Sequence, residues 1–186
     1  MRWLPRAGVV LVVLVALLPG CAPRPASEPA PAHAPLLGRV TRAQLEPLPA
    51  WREARSLAPP DPIAAHALAR VPPGAVVRVF LGTWCSDSRK EVSRFWQAMD
   101  LAESTPFGVE LIAVDRRKRA PDGLTDDAHV RYVPTFVVLR DGREVGRVVE
   151  SSPSGVEADV GALLRGTCTG VISTRENVGA RPCDPR

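Results

Sequence analysis

The chain has 186 residues, and its 24 Lys and Arg against 20 Asp and Glu give a formal net charge of +4 at pH 7. This length fits one domain with a hydrophobic core plus tails. Only two of the basic residues are lysine, so the positive balance reflects an arginine-biased composition, and we do not expect nucleic acid to be a partner.

The first 20 residues have the pattern of an export signal. A basic leader at 1–6 precedes an apolar run of 12 residues at 7–18. The run is too short for a membrane-spanning helix, which needs ~20 residues, and it is typical of the apolar core of a signal peptide. It ends in Leu-Pro-Gly-Cys at 18–21, which resembles the lipobox of bacterial lipoproteins.

The lipobox resemblance implies that residues 1–20 are a lipoprotein signal peptide and that Cys21 carries lipid, which would anchor the protein to a membrane of the bacterial cell envelope. Because Ala22 rather than Asp follows the cysteine, the resemblance implies the outer membrane, facing the periplasm, in a Gram-negative bacterium. Cleavage at an ordinary site nearby and an uncleaved anchor are the alternatives.

Two proline-containing segments precede the predicted domain. Residues 21–39 are rich in Pro and Ala and have little to bury, so we predict a semi-extended tether there. Residues 40–62 carry apolar side chains, among them Trp51, but prolines interrupt them. We predict that this stretch is a loop-rich N-terminal extension lying over the domain.

The predicted domain spans residues 63–166 and contains one cysteine in a distinctive position. Residues 76–81 are almost entirely β-branched or apolar, as in a strand inside a sheet. A short bend leads to Cys85, after which apolar residues recur at helical spacing. The thiol therefore lies at a helix N-terminus, where free N–H groups and the positive end of the helix dipole stabilise a thiolate.

The other predicted elements of the domain alternate between helix and strand. They are a helix at 62–70, a strand at 109–114, a short helix at 124–130, a strand within 132–139 that starts with a proline, a hairpin turn at 140–143, a strand at 145–149 and a helix at 154–164. The turn contains Asp-Gly, a strong hairpin signal. This order favours an α/β fold with a central mixed β-sheet and helices on both faces.

Two motifs, taken together, resemble the thioredoxin superfamily. Trp-Cys-Ser-Asp-Ser at 84–88 follows a core strand, and Val-Pro-Thr-Phe at 133–136 starts another strand that leads into the hairpin. The resemblance covers about residues 63–165 and implies the thioredoxin fold. It also implies a cis peptide bond before Pro134 and a position of that loop against Cys85.

The site departs from a dithiol oxidoreductase at two positions. The thioredoxin cycle needs a second thiol to release the mixed disulfide, and Ser88 stands in that position. The family usually keeps a buried acid six residues before the nucleophile, where this chain has Val79. We therefore predict a monothiol site with Cys85 and Ser88 as catalytic residues, Ser88 donating a hydrogen bond to the thiolate and Asp87 capping the helix.

The resemblance also implies a substrate-binding groove beside the thiol. Trp84 would form its apolar shoulder, while Tyr132, Val133 and Pro134 would offer a backbone edge to a substrate strand. The basic run at 116–119 follows the neighbouring strand. Either it attracts acidic substrates or anionic low-molecular-weight thiols, or it is a solvated loop.

The C-terminal tail at 167–186 contains Cys168 and Cys183 and has little hydrophobic periodicity. In an oxidising setting these cysteines most simply form a disulfide with each other; the alternative is that one of them is a resolving thiol for Cys85. No cluster of His, Cys, Asp or Glu has the spacing of a metal site, so we expect neither a metal nor a cofactor.

The functional hypothesis is thiol-disulfide exchange through a mixed disulfide at Cys85, in a lipid-anchored monomer that acts on protein or low-molecular-weight thiols and disulfides. Whether the chain is an enzyme stays open, because a non-catalytic client-binding or scaffold module on the same fold is the alternative. A thiol peroxidase is disfavoured, since peroxidases of this superfamily place Thr three residues before the cysteine, whereas Thr83 is two residues before it.

Overall fold

The computed structural model describes residues 35–179, which contain both α-helices and β-strands. The strands and α-helices are β1 Gly38–Val40, α1 Arg42–Leu45, α2 Pro49–Leu57, α3 Pro62–Ala67, β2 Ala75–Leu81, α4 Ser86–Ala102, β3 Gly108–Ala113, β4 Thr135–Arg140, β5 Arg143–Val149, α5 Val156–Arg165 and β6 Gly170–Ile172. Short 3₁₀ turns lie at Leu68–Arg70, Pro121–Gly123 and Glu176–Val178.

A six-stranded mixed sheet with the strand order β1-β3-β2-β4-β5-β6 forms the centre of the fold. β2 pairs in parallel with β3 and antiparallel with β4, so its apolar residues lie inside the sheet. β4 and β5 form a hairpin through Asp141 and Gly142, which both have the positive φ that its tight turn requires. The predicted mixed sheet and hairpin are confirmed.

All α-helices of the described chain lie on one face of this sheet, so the expectation of helices on both faces is wrong. The larger hydrophobic cluster joins inward residues of the central strands, such as Val77, to buried residues of all five helices. A smaller cluster on the opposite face includes Phe80 and Ile112, and the loop at 120–130 packs against it. One sheet face is therefore covered by irregular chain.

The predicted short helix at 124–130 is also wrong, because these residues form turns. Asp122 and Gly123, just before the segment, have φ of 59° and 68°, and His129 within it has φ of 49°. Such left-handed residues interrupt a right-handed helix. The missing helix accounts for the irregular cover of the second sheet face.

The N-terminal extension at 40–62 is largely helical, so the prediction of a loop-rich segment is wrong. Pro49 and Pro62 lie in the first turns of α2 and α3. There the missing N–H of proline costs no intrahelical hydrogen bond, and its fixed φ matches that of a helix. Trp51 of α2 is 2% exposed and stacks on Trp96 of α4 at 5.4 Å between ring centroids. The prolines start helices here instead of breaking them.

Both predicted flanking segments contribute a strand to the sheet. β1 comes from the end of the predicted tether at 21–39 and pairs antiparallel with β3. β6 lies in the predicted tail at 167–186, pairs in parallel with β5 and buries Ile172. Strands of three residues are too short to show an alternating pattern in the sequence.

Candidate functional site

Cys85 lies between the end of β2 and the start of α4, as predicted. It is the N-cap residue of this 17-residue helix, and no side chain makes a capping hydrogen bond there. The N–H groups of the first turn and the positive end of the dipole are therefore available to a negative charge at this position. The cysteine is half-buried, so a substrate can reach it.

A loop with a cis peptide bond lies against the thiol, as the resemblance implies. The Val133–Pro134 bond is cis. The Cys85 thiol donates a hydrogen bond to the Val133 carbonyl, with Sγ and O 3.4 Å apart. The Thr135 hydroxyl donates to the Tyr132 carbonyl at 2.8 Å, which fixes the turn into β4. Two segments far apart in sequence are thereby brought together at one sulfur.

Trp84 forms one side of the site and carries two cations on its ring. Its indole N–H donates to the Val114 carbonyl at 3.0 Å. A Cβ atom at position 82 would lie 2.7 Å from the indole, so the ring packs directly on the backbone of Gly82. The Arg116 guanidinium lies 5.0 Å and the Lys118 ammonium 5.8 Å from the ring centroid, both within the range of cation–π contacts.

Ser88 is fully buried and does not bond to the thiol, so the predicted hydrogen bond to the thiolate is wrong for this structure. Its hydroxyl oxygen accepts a hydrogen bond from the Gly82 N–H at 3.0 Å. Asp87 is in the first turn of α4, and the predicted cap is wrong because the N-cap residue is Cys85. A carboxylate in a first turn still interacts favourably with the helix dipole.

Tyr132 is engaged by the chain's own C-terminal segment. The Arg175 guanidinium lies 4.3 Å from the tyrosine ring centroid, and the Asn177 amide donates to its hydroxyl at 3.2 Å. Arg175 also forms an ion pair with Glu150. These contacts were not predictable from the sequence, because the tail has no periodic pattern that would place Arg175 beside the site.

The two cysteines among the described residues differ in oxidation state, and the other two lie outside those residues. Between residues 35 and 179, Cys85 is the free cysteine, and Cys168 is disulfide-bonded. The predicted partner Cys183 and the predicted lipidation site Cys21 both lie outside the described residues. Val79, where the family has an acid, is fully buried on β2.

Neither a membrane-spanning helix nor a metal-binding cluster is found among the described residues. No helix within residues 35–179 is both long and apolar enough to cross a membrane. In the same part of the chain, no group of three or more His, Cys, Asp or Glu is placed to hold a metal ion.

Comparison with known proteins gives distant likenesses. No protein-family model matches the chain, and no curated protein matches it. Two solved structures similar to it are a protein of unknown function from Pseudomonas aeruginosa (19% identity, TM-score 0.49, 64% of this chain and 84% of that one) and an HIV epitope scaffold (18%, 0.46, 69% and 84%). A third is mitochondrial thioredoxin 3 from Saccharomyces cerevisiae in its oxidized form (17%, 0.32, 60% and 97%). Since all three TM-scores are below 0.5, we draw neither family nor function from them.

Proposed function

We propose that this chain is a thioredoxin-like protein of the bacterial envelope that exchanges disulfides through the single thiol of Cys85. The observation that carries the proposal is the 3.4 Å contact between Cys85 Sγ and the carbonyl before a cis proline, at the N-terminus of a long helix. The strand order around β2 supports the same fold, because the thiol follows the central strand and the proline starts its antiparallel neighbour.

The chemical step is attack by the Cys85 thiolate on one sulfur of a substrate disulfide. A bond forms between Sγ and that sulfur, the substrate S–S bond breaks, and the other substrate sulfur leaves as a thiolate. The helix N-terminus stabilises the attacking anion. A second, external thiolate then attacks the mixed disulfide and regenerates Cys85, so electrons and protons balance over the cycle.

The surroundings of Cys85 support a one-thiol cycle. Ser88 fills the position of a resolving cysteine and is fully buried with its oxygen bonded to the Gly82 N–H. Val79, buried on β2, provides no proton acceptor. Cys168 is disulfide-bonded while Cys85 is free. Release of the mixed disulfide therefore falls to a thiol brought by another molecule.

The envelope location is part of the proposal and comes from the sequence. The apolar run at 7–18 and the Leu-Pro-Gly-Cys motif support lipidation of Cys21. The segment between this residue and β1 would then serve as the tether. An external thiol or reductase partner would have to reach the domain from the same compartment.

The test is turnover of a neutral disulfide by the purified full-length protein in detergent. With hydroxyethyl disulfide as substrate and glutathione as reductant, we expect the wild type to accelerate thiol exchange and Cys85→Ala to lose the acceleration. Equal rates for the two proteins would reject the exchange activity. That result would favour the alternative, a client-binding module on the same fold.

A further inference from the structure

The basic run after β3 forms a closed loop beside the candidate nucleophile. The Asp115 N–H donates to the Arg119 carbonyl at 2.9 Å, and the Asp115 carboxylate accepts from the Arg119 N–H at 2.8 Å. These bonds hold the intervening side chains in place. Arg116 and Lys118 lie over the ring of Trp84. Trp84 directly precedes Cys85, and both residues pack against the same apolar cluster.

The charges of this loop are not neutralised by the rest of the described chain. Between residues 35 and 179, no carboxylate lies within ion-pair distance of the basic side chains at 116–119, whereas Arg42, Arg78 and Arg94 all have acidic partners. The Asp115 carboxylate is the acid of the loop and is occupied by a backbone N–H. The Trp84 side of the site therefore presents net positive charge.

The opposite side of the thiol is electrostatically balanced. Arg175 over Tyr132 is paired with Glu150 and also interacts with the charge of Asp87. An anion approaching Cys85 on the Trp84 side meets the uncompensated charges of Arg116 and Lys118. The charge asymmetry gives the site a preferred direction for a negatively charged substrate.

A cleft of small-molecule size adjoins the cationic side. Its volume is about 530 Å³, within the usual range of ligand sites. The charged or titratable side chains in its lining are Lys118, Arg119, His129, Arg131 and the single carboxylate Asp126. Ala120 and Val130, also in the lining, pack against the same apolar cluster as Trp84 and Cys85.

We infer that the substrate is an anionic low-molecular-weight disulfide whose carboxylate groups are held by the cations over Trp84 and in this cleft. This inference rests on the proposed exchange activity and names its substrate class. One sulfur of the small disulfide bonds to Cys85 Sγ, the substrate S–S bond breaks, and the released half leaves as a thiolate. An external low-molecular-weight thiol then releases the bound half.

The experiment compares three small disulfides that differ in charge: dithiodipropionate as the anion, hydroxyethyl disulfide as the neutral form and cystamine as the cation. The rate of adduct formation at Cys85 is followed by intact mass on the full-length protein, and each rate is divided by that of free mercaptoethanol with the same disulfide. We expect the anion to exceed the cation by about tenfold at low ionic strength, and the ratio to shrink as salt screens the charges.

The test variant is Arg116→Gln/Lys118→Gln, and Arg143→Gln/Arg165→Gln is the matched control. The control pair is exposed, and both residues lie at the far end of the sheet, since Arg143 follows the hairpin turn and Arg140 beside it bonds to the end of α5. The test variant should lower the anion-to-cation ratio about threefold or more, while the control should retain it.

Equal normalised rates for the three disulfides in the wild type would overturn the inference and leave the exchange activity standing. A ratio unaffected by the test variant would overturn the role of Arg116 and Lys118 in the same way. Failure of Cys85 to react with any of the three disulfides would instead reject the proposed function, and the inference with it.

Discussion

At the scale of single residues, Ser88 has a structural task that its place in the motif does not reveal. Its buried hydroxyl oxygen accepts a hydrogen bond from the Gly82 N–H. Gly82 has no side chain and thereby leaves room for the Trp84 ring. The residue that stands for a resolving thiol thus helps to fix the bend that presents Cys85. Its contribution is to the shape of the site, and not to the charge of the sulfur.

Ser88→Ala should lower the free energy of unfolding by about 1–2 kcal/mol, because a buried N–H at Gly82 loses its acceptor. Urea unfolding measures this difference. The matched control is Ser86→Ala, an exposed residue of the same helical turn, which should change stability by less than about 0.5 kcal/mol. Equal stability of the Ser88 variant and wild type would show that the hydrogen bond contributes nothing.

At the scale of elements, ion pairs attach the N-terminal helices to α4. The Asp100 carboxylate accepts from Arg42 of α1 at 2.7 and 2.8 Å and from Arg55 of α2 at 2.9 Å. The hydrogen bond from Arg42, followed by that from Arg55, holds the pKa of Asp100 below its ordinary value of about 3.8. Together with the Trp51–Trp96 stack, these contacts make the extension part of the folded domain.

Asp100→Asn should destabilise the protein at pH 7 by about 1 kcal/mol, a small figure because the groups are partly exposed. Since the folded-state pKa is lowered, the carboxylate's contribution is complete above its ordinary pKa and is lost as pH falls through the lowered value. In urea unfolding, the difference between the wild type and the variant should therefore shrink as the pH falls below about 3.8 and vanish below the lowered pKa.

The control for this comparison is Asp141→Asn, which removes the same charge from the exposed hairpin turn. It should leave stability unchanged within about 0.5 kcal/mol at pH 7. A constant difference between Asp100→Asn and wild type at all pH values would show that the ion pairs are not its cause.

The elements differ in how far the sequence predicts them, and the reasons are local. The strand at 75–81 and the hairpin were predictable because a buried strand and an Asp-Gly turn each have a strong pattern. The helix that begins at Pro62 was predicted, but α2, which begins at Pro49, was not, because helix-starting and helix-breaking prolines differ only in position. Asp122 and Gly123, whose φ values are positive, are a second Asp-Gly pair, a turn signal that the prediction of a helix at 124–130 left out of account.

The residues of the candidate site also differ in how far the sequence predicts their positions and contacts. The position of Cys85 against the cis-proline loop followed from two motifs, since each has a distinctive sequence. The burial of Ser88 and the cover of Tyr132 by Arg175 did not follow. Both depend on which groups a side chain meets in three dimensions, and the C-terminal segment gives no pattern from which to place it.

At the scale of the whole molecule, we propose that a lipid on Cys21 anchors the protein and that a disulfide links Cys168 to Cys183 in its C-terminal tail. Mass spectrometry of membrane-extracted protein should show a lipid-modified N-terminus at Cys21. Non-reducing peptide mapping should find Cys168 linked to Cys183, with Cys85 free to be alkylated. A soluble product with unmodified Cys21 would contradict the anchor. A peptide joining Cys85 to Cys183 would restore a two-cysteine cycle within the chain.

We propose that Cys85 forms a mixed disulfide which the chain cannot release by itself. Full-length protein is loaded with hydroxyethyl disulfide, freed of excess reagent and followed by intact mass, first without and then with added thiol. The wild-type adduct at Cys85 should persist until thiol is added, whereas Ser88→Cys should lose its adduct unaided and form an internal disulfide. Absence of an adduct at Cys85, or its spontaneous loss from the wild type, would reject the one-thiol mechanism.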